Sequence, residues 1–116
     1  MNDQETTVAQ LRQAMARFVA ERDWEQFHDA KNLAMSIAIE AAELMELVQW
    51  LRSDQLAPLE CDPAMRQRVR EELADVMCYV LGMANALGID LAEAVRDKMA
   101  MNGRKYPADR FKGRYG

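Results

Sequence analysis

Glu40 and Glu43 stand three residues apart, and so do Glu72 and Asp75. On a helix this spacing places the two acids of each pair on one face, a turn apart. Trp50 lies about two turns beyond the first pair and Tyr79 one turn beyond the second. Four carboxylates on two helices able to face each other describe a site for a hard divalent cation. Mg²⁺ takes oxygen ligands, keeps several waters and is commonly shared between carboxylates and substrate phosphates. Without a cation, acids packed this closely repel, and some hold their protons to higher pH. Taken singly, an E-x-x-E or E-x-x-D is a common feature of a solvated helix face. What points to a metal is that there are two such pairs, each beside an apolar seam and each followed by an aromatic ring. Glu46, one turn beyond Glu43, is either a further ligand or a solvent-facing acid. A di-iron bundle needs Glu-x-x-His pairs, and the one histidine, His28, belongs to none. No Cys/His cluster suits zinc.

The acids must be carried by helices, and the apolar spacing supplies them. Leu33, Ile37, Ala41, Leu44, Val48 and Leu51 recur at four and three, which predicts a helix over Asn32–Leu51. Ser36, Glu40, Glu43, Leu47 and Trp50 form its neighbouring row. Val69, Leu73, Val76, Val80, Met83 and Leu87 form a near-heptad seam over about Pro63–Leu87, with Arg68, Glu72, Asp75 and Tyr79 alongside. Asp62-Pro63 reads as its cap and first position, and Gly88 as its end. Before these, Thr7 and Gln10 form a capping box for a first helix that ends near Arg22. Asp90, with Glu93 as box partner, starts a fourth whose apolar side is Leu91, Ala94, Val95 and Met99. Lys98 and Asn102 border that side. SDQLAPLECDP is the one clear break, too short to separate domains. Short connections predict an all-α four-helix bundle in a single domain, 1–116, with the two acid-bearing helices antiparallel.

Between the first two helices, ERDWEQFHDAKN carries Trp24, Phe27 and His28. The rings either cap a small core or line a pocket where a base can stack. From Gly103 the chain turns basic. Composition fits a small folded domain: of 116 residues, 50% are apolar and 29% charged, with five Gly and three Pro. A net charge of −4 argues against a general nucleic-acid binder. Two cysteines show no ligand spacing; Cys78, inside an apolar helix, is expected to be a small buried hydrophobe, and the pair suggests a reducing compartment. The N-terminus has no leader pattern and no apolar run is long enough to span a membrane, so no membrane partner and a cytoplasmic location are expected.

NLAMSIAIEAAELMELVQW, then EELADVMCYVL, then KMAMNGRKYP resembles the MazG-like all-α nucleoside triphosphate pyrophosphohydrolases. ERDWEQFH before the first acid helix is most similar to their dCTP pyrophosphatase branch. The likeness covers roughly residues 18 to 107. It implies Mg²⁺-dependent hydrolysis of a nucleoside triphosphate to monophosphate and pyrophosphate, with Mn²⁺ as a substitute ion. It implies Glu40, Glu43, Glu72 and Asp75 as metal ligands; a carboxylate not fully engaged by the ion can take the proton of water, and Glu40 or Glu43 is the expected base. Lys98, Asn102 and Lys31 would meet phosphate, while Trp24, His28, Asn32, Trp50 and Tyr79 would surround the nucleoside. It further implies a homodimer or homotetramer with the pocket partly completed by a second subunit. dCTP or a modified pyrimidine triphosphate is the leading substrate. dUTP, a damaged purine triphosphate or a phosphoribosyl-nucleotide keeps the same chemistry, and a non-catalytic helical module is the reading of another class.

Overall fold

A computed structural model describes residues 1–114, so the last two residues of the basic tail, 103–116, lie outside the described part. The described residues form helices α1 (Val8–Glu21), α2 (Ala30–Glu46), α3 (Pro58–Cys61), α4 (Pro63–Leu87), α5 (Leu91–Lys105) and α6 (Ala108–Phe111), with a 3-10 turn at Glu25–Phe27. Among them there is no strand, and the chain is all-α.

The helix starts follow from side chains that satisfy the free N–H groups of a first turn. Gln10 N–H donates to Thr7 Oγ1 at 3.1 Å, and Thr7 N–H donates to Gln10 Oε1 at 2.8 Å. Asp29 accepts from Asn32 N–H at 2.8 Å, and Asp90 from Glu93 N–H at 2.9 Å. Asp62 caps α4 with Pro63 at its first position. Gly88 closes α4 at φ +65°, a left-handed conformation that a residue without Cβ adopts freely.

α2 and α4 make the main helix pair, and α1 packs on the same α4. Leu33 of α2 lies beside Gly82 of α4, while Glu40 lies beside Glu72. Position rises along one helix as it falls along the other, so the two run antiparallel. Leu33, Val19, Leu81 and Ala84 are the buried apolar residues, placing the core between α1, the start of α2 and the second half of α4.

Four expectations need correction. α2 stops at Glu46 instead of Leu51: Leu47, Val48 and Leu51 N–H donate three residues back, to Leu44, Met45 and Val48. Beyond Glu46, Leu47, Val48 and Leu51 are only half-buried and Trp50 is 87% exposed, and a helix with a weakly packed face gains little from continuing. The supposed linker contains α3, which packs against α4. Cys78 is exposed, because α4 is longer than the surface its partners cover and part of its apolar side stays bare. Last, the fourth helix does not join a bundle within the chain. α5 leaves α4 at 102°, buries no residue and leaves Val95 and Met99 55% and 68% exposed.

The consequence is an open chain. Its radius of gyration is 17.1 Å, against about 13 Å for a compact domain of this size. Its accessible surface is 9373 Å², about 2,900 Å² more than a compact monomer of 13.3 kDa exposes. No single helix among the described residues is long and apolar enough to cross a membrane.

Candidate active site

The i, i+3 spacing on α2 and on α4, combined with their antiparallel packing, brings carboxylates from both helices to one place. One oxygen from each of Glu40, Glu43 and Glu72 lies within 4.8 Å of the others. Asp75 lies outside this triangle, yet near enough for its charge to act on Glu40 and Glu72. Glu46 is exposed and apart from it.

The triangle contains acceptors only. Glu40 Oε2 and Glu72 Oε2 are buried and receive no hydrogen bond from the protein. Burial first, then the neighbouring Glu43 carboxylate, pushes Glu40 from the ordinary 4.5 to about 7. The same two causes raise Glu72. Buried acceptors without donors are rare in folded proteins and call for an unplaced partner. A hard cation fits: every donor is a carboxylate oxygen, the donors come from two rigid helices, and one oxygen from each of the three acids lies within 4.8 Å of the others. Near this centre, partial burial and the Asp75 charge raise the Cys78 thiol, which disfavours a thiolate nucleophile.

Beside the acids stands a line of rings. Trp24 stacks on His28 with centroids 6.5 Å apart at 26°, and His28 tilts against Tyr79 at 6.4 Å. Phe18 meets the Trp24 edge at 5.9 Å, and the Arg22 guanidinium lies over Phe18 at 3.6 Å. Tyr79 is one turn from Asp75 on α4, so the row of rings follows the acid row along the helix. Asn32 spends its amide N–H groups on the Phe27 carbonyl (3.2 Å) and the Asp29 carboxylate (3.1 Å), pinning the turn that carries the rings.

Behind His28 opens a cavity of about 560 Å³ between α1, the 3-10 turn and the last turns of α4. Met15, Val19, His28, Gly82, Asn85 and Leu87 line it. Sequence reasoning missed Met15, Gly82 and Asn85. The available signal was the α4 row 72, 75, 79, 82, 86, which extends the acid and aromatic positions at the same alternating spacing into a glycine and an alanine.

The remaining expected residues are not gathered here. Trp50 projects from the turn after α2, and Lys31 is exposed in the first turn of α2. Lys98 and Asn102 are exposed on α5.

The MazG-like family pattern matches residues 35–115. Human dCTP pyrophosphatase 1 is 42% identical over 104 residues, covering 90% of this chain and 61% of the human protein. The bovine protein of the same name is 39% identical over 109 residues, 94% of this chain and 64% of its own length. This chain thus spans less than two thirds of these mammalian relatives. A pyrophosphatase from Archaeoglobus fulgidus superposes with a TM-score of 0.80 at 38% identity, covering 92% of this chain and 98% of the archaeal one.

Proposed function

This chain belongs to the MazG-like family, and we propose on that premise that it is a Mg²⁺-dependent nucleotide pyrophosphohydrolase acting on dCTP or a modified pyrimidine triphosphate. One observation carries the reading: three carboxylates converge within 4.8 Å, two of them with orphaned buried oxygens, on the helices that also carry or meet a row of aromatic rings. The names of the mammalian relatives support the choice of dCTP.

Glu40, Glu43 and Glu72 would hold the ion, with Asp75 adding charge and closing the set. Bound there, Mg²⁺ would neutralise phosphate charge and lower the pKa of a coordinated water. In the reaction, water adds its oxygen to the α-phosphorus, the α–β anhydride bond breaks, and pyrophosphate leaves. Glu40 or Glu43 takes the proton of that water; burial and the neighbouring Glu43 carboxylate push Glu40 up to about 7, and an acid near the working pH suits proton transfer. Trp24, His28 and Tyr79 offer the base a stacking wall and shield it from water. Asn32 keeps that wall in register with α2.

The substrate's negative charge also needs cations, and the carboxylate corner supplies none. Lys98 and Asn102 sit on α5, away from the acids of their own chain. A second copy placing α5 near the acids, or packing against it, would bring Lys98 and Asn102 to the outer phosphates. Lys31 would serve at the start of α2. The excess surface and the uncovered Val95 and Met99 support a homo-oligomer, because obligate interfaces bury apolar area on this scale. A four-helix arrangement would then be completed between chains.

The test is product identity. Incubated with dCTP and Mg²⁺, the protein should yield dCMP and pyrophosphate in equal amounts. Formation of dCDP and phosphate, or no turnover by folded protein, would overturn the reading.

A further inference from the structure

Gly82 sits in the middle of a long helix, where glycine is a poor helix former and alanine a good one. No turn or positive φ requires it there; the positive-φ glycines among the described residues are Gly88 and Gly113. Nor does a steric clash require it. A Cβ built at Gly82 would stand 3.6 Å from Leu33 Cδ2, 3.8 Å from Met15 Cε and 3.9 Å from His28 Nδ1, all ordinary contact distances. Alanine therefore fits the folded chain and would be better for the helix. What glycine leaves open is a notch in the floor of the 560 Å³ cavity, between Met15, Leu33 and the edge of the His28 ring.

The notch lies in line with the carboxylates. Gly82 is seven residues beyond Asp75 on α4, and Leu33 is seven residues before Glu40 on α2. At helical rise both separations are about 10 Å along the axis. Tyr79 and His28 stand between the acids and the notch, and a separation of about 10 Å is comparable with that between a nucleotide's outer phosphates and its base. Met15 on α1 forms the opposite side of the notch and is the flexible member of the three side chains.

We propose that Gly82, with Met15, sets the size of base the site accepts: the missing side chain at residue 82 holds room for a substituent on the far edge of a pyrimidine ring. This deepens the function proposed above and rests on it. Gly82 then determines specificity and takes no part in bond breaking.

The experiment compares dCTP with 5-methyl-dCTP, which differ by one methyl group, in the full-length protein with Mg²⁺. Gly82→Ala adds a methyl to the floor, and Met15→Ala removes bulk from the opposite side. Gly82→Ala should raise the melting temperature and lower the 5-methyl-dCTP to dCTP ratio of kcat/KM by about tenfold, the size of effect one misplaced methyl has in a pocket. The loss should be carried by KM. Met15→Ala should move the ratio the other way. A ratio unchanged in both variants, while the unsubstituted protein releases pyrophosphate, overturns the size gate and leaves the pyrophosphohydrolase reading standing. Absence of pyrophosphate release by the unsubstituted protein overturns both, beginning with that reading. Should Gly82→Ala lower the melting temperature, the glycine is required by packing, and the proposal is again overturned.

Discussion

Glu40 and Glu72 come together across the seam between α2 and α4, and each has a buried carboxylate oxygen that accepts no hydrogen bond from the protein. The contacts that hold the helices together lie elsewhere, around Leu33, Leu81 and Ala84. Packing of that core therefore holds the acidic groups together against their mutual repulsion.

Replacing Glu40 by Gln tests this opposition directly. The amide is neutral and donates hydrogen bonds, so it can satisfy Glu72 where a carboxylate cannot. In metal-free buffer Glu40→Gln should melt higher than the unsubstituted protein, by about 4 °C or more. Its pyrophosphate release should fall about 100-fold or further. Calorimetry and a product assay on one preparation check both halves.

A pH dependence follows with a definite sign. Glu40 is raised from 4.5 to about 7, so the folded chain holds this proton more tightly than the unfolded chain does. Stability from this group is fully present below pH 4.5 and is lost as pH rises through about 7. Metal-free melting temperature, taken as the difference from Glu40→Gln, should decline across that window. Mg²⁺ binds the ionised acids of the native state, so millimolar Mg²⁺ should reverse the decline at alkaline pH and do little in acid. Melting curves with and without chelator are the measurement.

The α1–α4 contact rests on a reciprocal clamp. Arg12 Nε donates to Asn85 Oδ1 at 3.1 Å, its guanidinium donates to the Ala84 carbonyl at 3.2 Å, and Asn85 Nδ2 donates to the Arg12 carbonyl at 2.9 Å. Asn85→Ala leaves both Arg12 groups without that partner and should cost about 1–3 kcal/mol in urea unfolding. Because the clamp is remote from the carboxylates, Mg²⁺ affinity by titration calorimetry should hold.

Oligomerisation is checked by a single charge. Met99 lies on the uncovered side of α5, 68% exposed. If a second copy covers it, Met99→Asp places an unpaired charge in an apolar interface and should shift sedimentation equilibrium to the monomer. An unchanged mass would mean that another face makes the assembly.

Much of this architecture was legible because caps and periodicity are local. Thr7, Asp62, Gly88 and Asp90 mark helix ends through groups within four residues of themselves, and α4 begins at Pro63 and ends at Leu87 as its pattern requires. The acid pairs were legible for the same reason. The end of α2 was not: the apolar stripe continues to Leu51, but whether a helix follows depends on tertiary contact, which Trp50 lacks. Periodicity likewise showed that α5 has an apolar side without showing what covers it. Cys78 was misplaced because an apolar helix can exceed its partners, leaving part of its apolar surface bare. The cavity required α1 to meet α4, a long-range contact that no short spacing encodes, and so Met15 and Asn85 went unread.

The most direct test of the central claim is pyrophosphate release from a panel of pyrimidine and purine deoxynucleoside triphosphates with Mg²⁺, run on the unsubstituted chain, Glu40→Gln and Glu72→Gln. Release from a pyrimidine triphosphate should depend on Mg²⁺ and disappear in both variants. Release that survives both substitutions would contradict that claim, for the chemistry would then lie away from the place where α2 and α4 bring their carboxylates together.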